Sequence, residues 1–167
     1  MRGSAIQTKR TPWQALLHDS VCDALRCDHF WQPLLESGAH LHLAVLVEPY
    51  LSLLLSGAKT MESRFSMTRR PPFRRVKVND ILILKRSAGP IAGICRVAEV
   101  DFFHLDSSPL SELRTRFHAP LAIRDAAFWD RQSNMRYATL MRVSHPTPLN
   151  GIRCGKRDQR GWVTLTA

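Results

Sequence analysis

Apolar positions follow helical spacing over roughly the first 40 residues and strand spacing beyond them, and that change divides the chain. Thr11-Pro12-Trp13-Gln14 has the signature of a helix start, with Thr in the N-cap place, Pro at the first helical position and Gln in capping-box register. Trp13, Leu16, Leu17, Val21 and Leu25 then recur every three or four residues, so one face of this helix is expected to pack. Phe30, Trp31, Leu34 and Leu35 make a second helical patch that stops at Gly38, with Pro33 blurring its limits. From Leu41 the run Leu41-His42-Leu43-Ala44-Val45-Leu46-Val47 predicts a buried strand. A short helix over Tyr50–Ser56 follows, and Gly57 falls where a left-handed cap ends it.

Farther on, Ile81–Leu84 and Ile91–Phe103, separated by the turn Ala88-Gly89-Pro90, predict a hairpin. Ser108-Pro109 opens a helix with Leu110, Leu113 and Phe117 on one side, and Asp125 caps a shorter one through Phe128 and Trp129. Tyr137–Val143 and Trp162–Leu165 supply closing strands. About six short strands with short helices between them imply an α+β fold built on a small, partly closed barrel. Residues 1–40 then read as a mobile arm (1–10) and a helical extension, and residues 41–167 as the main domain.

Length and charge narrow the function classes. A chain of 167 residues suits one domain. Its 24 Lys and Arg against 14 Asp and Glu leave a net charge of +10, which favours polyanionic partners. No uncharged apolar run reaches the ~18 residues of a membrane span, and no apolar stretch follows the basic start in the manner of a secretory signal, so no membrane partner is expected and the location is expected to be cytoplasmic. Cys22, Cys27, Cys95 and Cys154 form no Cys-x-x-Cys pair and read as reduced thiols. His40 and His42 alternate at the edge of the first strand and His104 and His118 flank a helix, none at a metal-ligand spacing, so neither a metal nor a cofactor is expected. The motifs of serine hydrolases, nucleoside triphosphatases and dinucleotide enzymes are missing from the sequence.

The densest polar constellation is Gly57-Ala58-Lys59-Thr60-Met61-Glu62-Ser63-Arg64. In an extended chain Thr60, Glu62 and Arg64 share one face, with Lys59 at its mouth. A Lys, a Glu and an Arg converging there suit a phosphate or a base edge, with Glu62 accepting from exocyclic amines. They also suit proton transfer, or else form an ion-pair row on a strand surface. A second feature is the basic run Arg69, Arg70, Arg74, Arg75 and Lys77, wrapped around Phe73 and held extended by Pro71 and Pro72. Its cations would neutralise phosphates while Phe73 stacks on an unpaired base. Lys156 and Arg157 repeat the theme beside Trp162, and Arg131, Arg136 and Tyr137 extend a basic rim. Trp129 and Trp162 read as packing residues before stacking platforms.

The motif Gly57-x-Lys59-x-x-Glu62-x-Arg64, followed by the turn Val78-Asn79-Asp80, Tyr137-Ala138-Thr139-Leu140-Met141 and Gly161-Trp162-Val163, resembles the ASCH domain family of the PUA-like β-barrel superfold over residues 41–167. The resemblance implies RNA or DNA binding in a cleft beside the Gly-x-Lys motif. It also implies an enzymatic alternative, because some members remove the acyl group from N4-acetylcytidine and another is a ribonuclease. In the deacylating members the catalytic set is the motif Lys, a Thr three residues later and a downstream Glu. Here Lys59 matches the first, Glu62 stands in the place of the Thr with Thr60 two positions earlier, and Glu112 and Asp130 match the last by region alone. A Glu in that place is found in the branch similar to the transcriptional coactivator that names the family.

The expectation is therefore a domain recognising RNA or single-stranded DNA in a basic cleft. The alternative is a metal-independent hydrolase acting on modified cytidine or RNA through Lys59, Glu62 and Arg64. An apolar face on the first helix would suit a protein partner if it does not pack.

Overall fold

A computed structural model describes residues 10–165; of the arm expected over residues 1–10, all but Arg10 lies outside the described residues. Helix α1 (Pro12–Leu25) begins at the predicted cap, where the Thr11 backbone N–H donates to Gln14 Oε1 at 2.7 Å. A short α2 (Trp31–Glu36) ends near Gly38, whose φ of +83° is open to glycine without strain. Strand β1 (Leu41–Leu46), α3 (Tyr50–Leu55), β2 (Met61–Ser66), β3 (Ile81–Arg86), β4 (Ile91–His104), α4 (Leu110–Phe117), β5 (Tyr137–Pro148) and β6 (Trp162–Thr164) complete the order, with a 3-10 turn over Asp130–Gln132.

All six strands form one sheet in the order β2-β5-β4-β3-β1-β6. β3 and β4 make the expected hairpin, β1 runs parallel to β3, and β5 extends five residues beyond the predicted Val143. The sheet curls into a half-barrel, the α+β architecture anticipated from the strand count. Residues facing each other across the antiparallel ladders share a face, and this sorts the core. One face carries Ala44, Leu46, Leu82, Leu84, Cys95 and Met141 and is closed by Leu51 and Leu54 of α3 and by Val76. The opposite face is covered in two places: Leu113, Phe117 and Trp129 pack on Met61, Ala138 and Leu140, while α1 and α2 pack on Leu41, Leu43, Ile81 and Ile83.

Of the face predicted for α1, Leu17, Val21 and Leu25 are buried and Trp13 packs partly buried beside them, whereas Leu16 is exposed. Leu17 and Val21 are fully buried with Trp31 against β1 and β3, so this helix shares the core of the residues that follow it. α3 sits so close to β4 that a Cβ added at Gly93 would lie 2.5 Å from Leu55 Cδ2 and 2.6 Å from the Thr147 carbonyl oxygen.

Candidate functional site

Gly57, at φ +79°, turns the chain out of α3 and leads it through Lys59 and Thr60 into β2. The Lys59 backbone N–H donates to the Leu53 carbonyl at 2.8 Å, and those of Thr60 and Met61 to the Pro120 carbonyl at 3.0 and 3.1 Å, which fixes the entry to the strand. Glu62 pairs in register with Met141 and Arg64 with Thr139, which places both side chains on the inner face of the curled sheet.

Lys59, Glu62 and Arg64 do converge, but inside the curl. Lys59 is 4% exposed and Glu62 6%, which excludes a row of solvated surface ion pairs. Lys59 Nζ lies 3.4 Å from Glu62 Oε2, donates to the Leu121 carbonyl at 3.2 Å and stands 5.7 Å over the Tyr50 ring. Arg64 meets the other carboxylate oxygen at 3.0 Å. One carboxylate therefore holds two cations, the satisfied arrangement that buried charge requires. Thr60, by contrast, is exposed at the start of the strand.

Arg64 also spans the seam of the half-barrel. Its guanidinium donates to the Val45 carbonyl at 3.0 Å and the Gly161 carbonyl at 3.1 Å, and it lies 5.6 Å from the Trp162 ring. Its Nε and the neighbouring Trp162 Nε1 are buried with no hydrogen-bond partner among the described residues. Cys95 lies on the same face, where burial first and the Glu62 charge second push its thiol far above the usual range.

The basic run is built differently from its expectation. Residues 71–75 form turns, not an extended segment, closed by backbone hydrogen bonds from Phe73 to Arg70 at 3.0 Å and from Arg75 to Pro72 at 2.9 Å. Phe73 is 4% exposed, its ring 5.0 Å from Tyr137 and 5.5 Å from Phe102 and His104, so it anchors the loop and is not free to stack on a base. The apolar anchors Pro72, Phe73 and Val76 turn inward, which leaves Arg69, Arg70, Arg74, Arg75 and Lys77 exposed. None of these five pairs with a carboxylate among the described residues; Arg69 lies over the Tyr137 ring at 5.6 Å. Arg136 is exposed beside them and reaches Asp106 at 3.5 Å.

Other expected contacts sort by burial. Lys156 is not a free cation: its side chain is 5% exposed and pairs with Asp158 at 2.9 Å, whereas Arg157 is exposed. Asp158 also meets Arg160 at 2.9 Å, and these contacts hold its carboxyl far below the usual range. Trp162 and Trp129 are packing residues, the latter donating from Nε1 to His118 Nδ1 at 3.0 Å. Glu112 is exposed and bridged to Arg116 at 3.2 Å, and Asp130 is exposed, so the carboxylate that serves Lys59 is Glu62 itself. Tyr50 and the Leu121, Val45 and Gly161 carbonyls went unread in the sequence. Main-chain acceptors carry no side-chain signature, and Tyr50 read simply as a helical residue.

No helix among the described residues is long and apolar enough to cross a membrane. Comparison with known proteins follows the same lines as the fold. No curated protein matches the chain. Among solved structures it is similar to an ASCH protein from Zymomonas mobilis, at 14% identity and a TM-score of 0.52 over 65% of this chain and 69% of that one. A single-substitution variant of that protein gives 15% identity and the same TM-score of 0.52 over 66% and 73%. The family model described as ASCH domain matches residues 45–139, from the end of β1 through β2, β3, β4 and α4 into β5. The chain belongs to the ASCH domain family.

Proposed function

We propose that the protein binds RNA or single-stranded DNA across the surface presented by residues 69–77 and Arg136, next to the Gly57-x-Lys59-x-x-Glu62-x-Arg64 motif. The observation that carries this reading is the loop itself. Five cations stand exposed without carboxylate partners among the described residues, on a loop pinned by buried Pro72, Phe73 and Val76, in a chain of net charge +10. Cations without an ion pair have none to break before they meet phosphates, and they release counterions on contact. Phe73 supports binding indirectly by fixing the loop, and Arg69 and Arg136 flank a half-buried Tyr137.

Fluorescence-anisotropy titration of a labelled single-stranded RNA over a range of salt concentrations tests this. The double variant Arg74→Gln/Arg75→Gln should bind more weakly and lower the slope of log K against log salt by about 1.4, the contribution of two phosphate contacts on a single strand. Unchanged affinity and slope would remove these residues from the interface.

A second reading, a metal-independent hydrolase acting on an N4-acylated cytidine or on RNA, is favoured by one observation. Lys59 and Glu62 stand 3.4 Å apart in a buried setting beside Arg64 Nε, a donor with no acceptor among the described residues. In this reading Lys59 activates water or supports phosphate charge, Glu62 relays the proton and Arg64 stabilises developing negative charge. Turnover of N4-acetylcytidine or cleavage of RNA that survives Lys59→Ala would dismiss it.

A further inference from the structure

His40, His42 and Asp80 converge where β1 begins and the turn before β3 ends, because parallel pairing of the two strands sets Leu41 beside Ile81. One ring nitrogen from each histidine and one Asp80 oxygen all lie within 4.8 Å of one another. His42 is fully buried and Asp80 is 3% exposed, while His40 is half-buried. Asp80 is a finished fixture: its Oδ1 accepts from the His40 backbone N–H at 3.0 Å and its Oδ2 from that of Lys77 at 2.7 Å. No Lys or Arg pairs with this carboxylate among the described residues; its one ion-pair partner is His42, at 2.9 Å, which is positive only when protonated. These hydrogen bonds outweigh desolvation and keep the Asp80 carboxyl below its usual range.

We infer that His40, His42 and Asp80 form a binding site for a divalent transition metal of the zinc type, with three protein ligands and a fourth position open on the His40 side. Two imidazoles and a carboxylate are a zinc donor set, and three protein ligands leave room for water. A buried carboxylate lacking a permanent cation is the electrostatic half of such a site. The supporting shell is present as well: His42 Nδ1 lies 3.1 Å from Thr164 Oγ1 of β6, so the ring has a partner for the nitrogen that does not ligate.

Two ligand atoms on a tetrahedral zinc stand roughly 3.3 Å apart, so entry of the ion needs the His42 Nε2–Asp80 Oδ2 pair, 2.9 Å apart, to open by a few tenths of an ångström and the wider separations in the group, which extend up to 4.8 Å, to close as the half-buried His40 ring swings in. Without metal, a neutral His42 carries its proton on Nε2 toward Asp80 and accepts from the Thr164 hydroxyl. With metal, that proton sits on Nδ1, the Thr164 hydroxyl turns to accept it, and Nε2 is free to ligate. No proton is released in this exchange, whereas binding to a protonated His42 releases one. Such an ion would tie β1, β6 and the turn that carries Lys77 into one unit.

The test is titration of the purified full chain, stripped with a chelator, with Co2+ as a spectroscopic probe and Zn2+ by thermal shift. The expected result is visible d–d absorption saturating at one equivalent and a rise in Tm with Zn2+. His40→Gln alters a half-buried residue and should abolish the saturable absorption while leaving the fold intact by circular dichroism. Thr164→Val removes only the hydroxyl that partners His42 Nδ1 and should weaken Co2+ binding 10- to 100-fold. Absence of both absorption and thermal shift in the wild type would overturn the proposal, as would undiminished binding by His40→Gln.

Discussion

Glu62 is the residue on which the inner site turns, since one carboxylate neutralises two cations in a space water hardly enters. Glu62→Ala leaves Lys59 buried without its countercharge, and loss of one partner from a buried pair costs about 3–5 kcal/mol. Urea unfolding monitored by tryptophan fluorescence should show that loss as a lower midpoint. Asp80 makes a prediction of opposite chemical character. Its folded-state carboxyl titrates below the unfolded one, so the stabilisation it supplies is complete above the unfolded pKa and fades as pH falls through the folded value. In chelator-containing buffer, Asp80→Asn should therefore flatten the acid side of the Tm-against-pH profile; an unchanged acid limb would assign that loss to other groups. Cysteine reactivity separates by the same logic of burial. Cys27 is exposed and Cys95 is buried with its thiol pushed far up, so iodoacetamide applied to the native protein should alkylate Cys27 and leave Cys95 untouched.

At the scale of elements, local rules explain much of what forms and long-range pairing explains what the elements bring together. The Thr11-Pro12-Gln14 start, the Gly38 and Gly57 stops and the β3–β4 hairpin depend on neighbours within a few residues, and each was legible from them. The Lys59-Glu62-Arg64 face was legible too, because alternation along a strand is a local property, but its inward direction was not. That direction depends on the curl of all six strands. The basic loop shows the same limit: two prolines suggest an extended chain, yet burial of Phe73 against Phe102 and Tyr137 draws the segment into turns. Asp80 lies 38 positions from His42, a spacing that no ligand motif encodes, and the β1–β3 pairing alone unites them. A close contact between elements gives a further test. Gly93→Ala drives a methyl group into Leu55 and the Thr147 backbone, and overpacking of this kind costs about 1–3 kcal/mol, read as a lower Tm.

For the whole molecule, charge and core are arranged on separate surfaces. α1 closes one side of the sheet with Leu17 and Val21, so it is part of the folding unit and not a detachable docking arm. The basic residues 69–77 follow the end of β2, and Arg136 precedes the start of β5, where Ser66 pairs with Tyr137. The half-barrel is drawn together by one guanidinium: Arg64, on one outer strand, grips main-chain carbonyls beside the other. β2 and β6 are thus unladdered along one side each, and an unladdered side is a template for a second chain. A side-chain clasp therefore also acts as a guard against self-association, keeping two adhesive borders turned toward each other within one molecule.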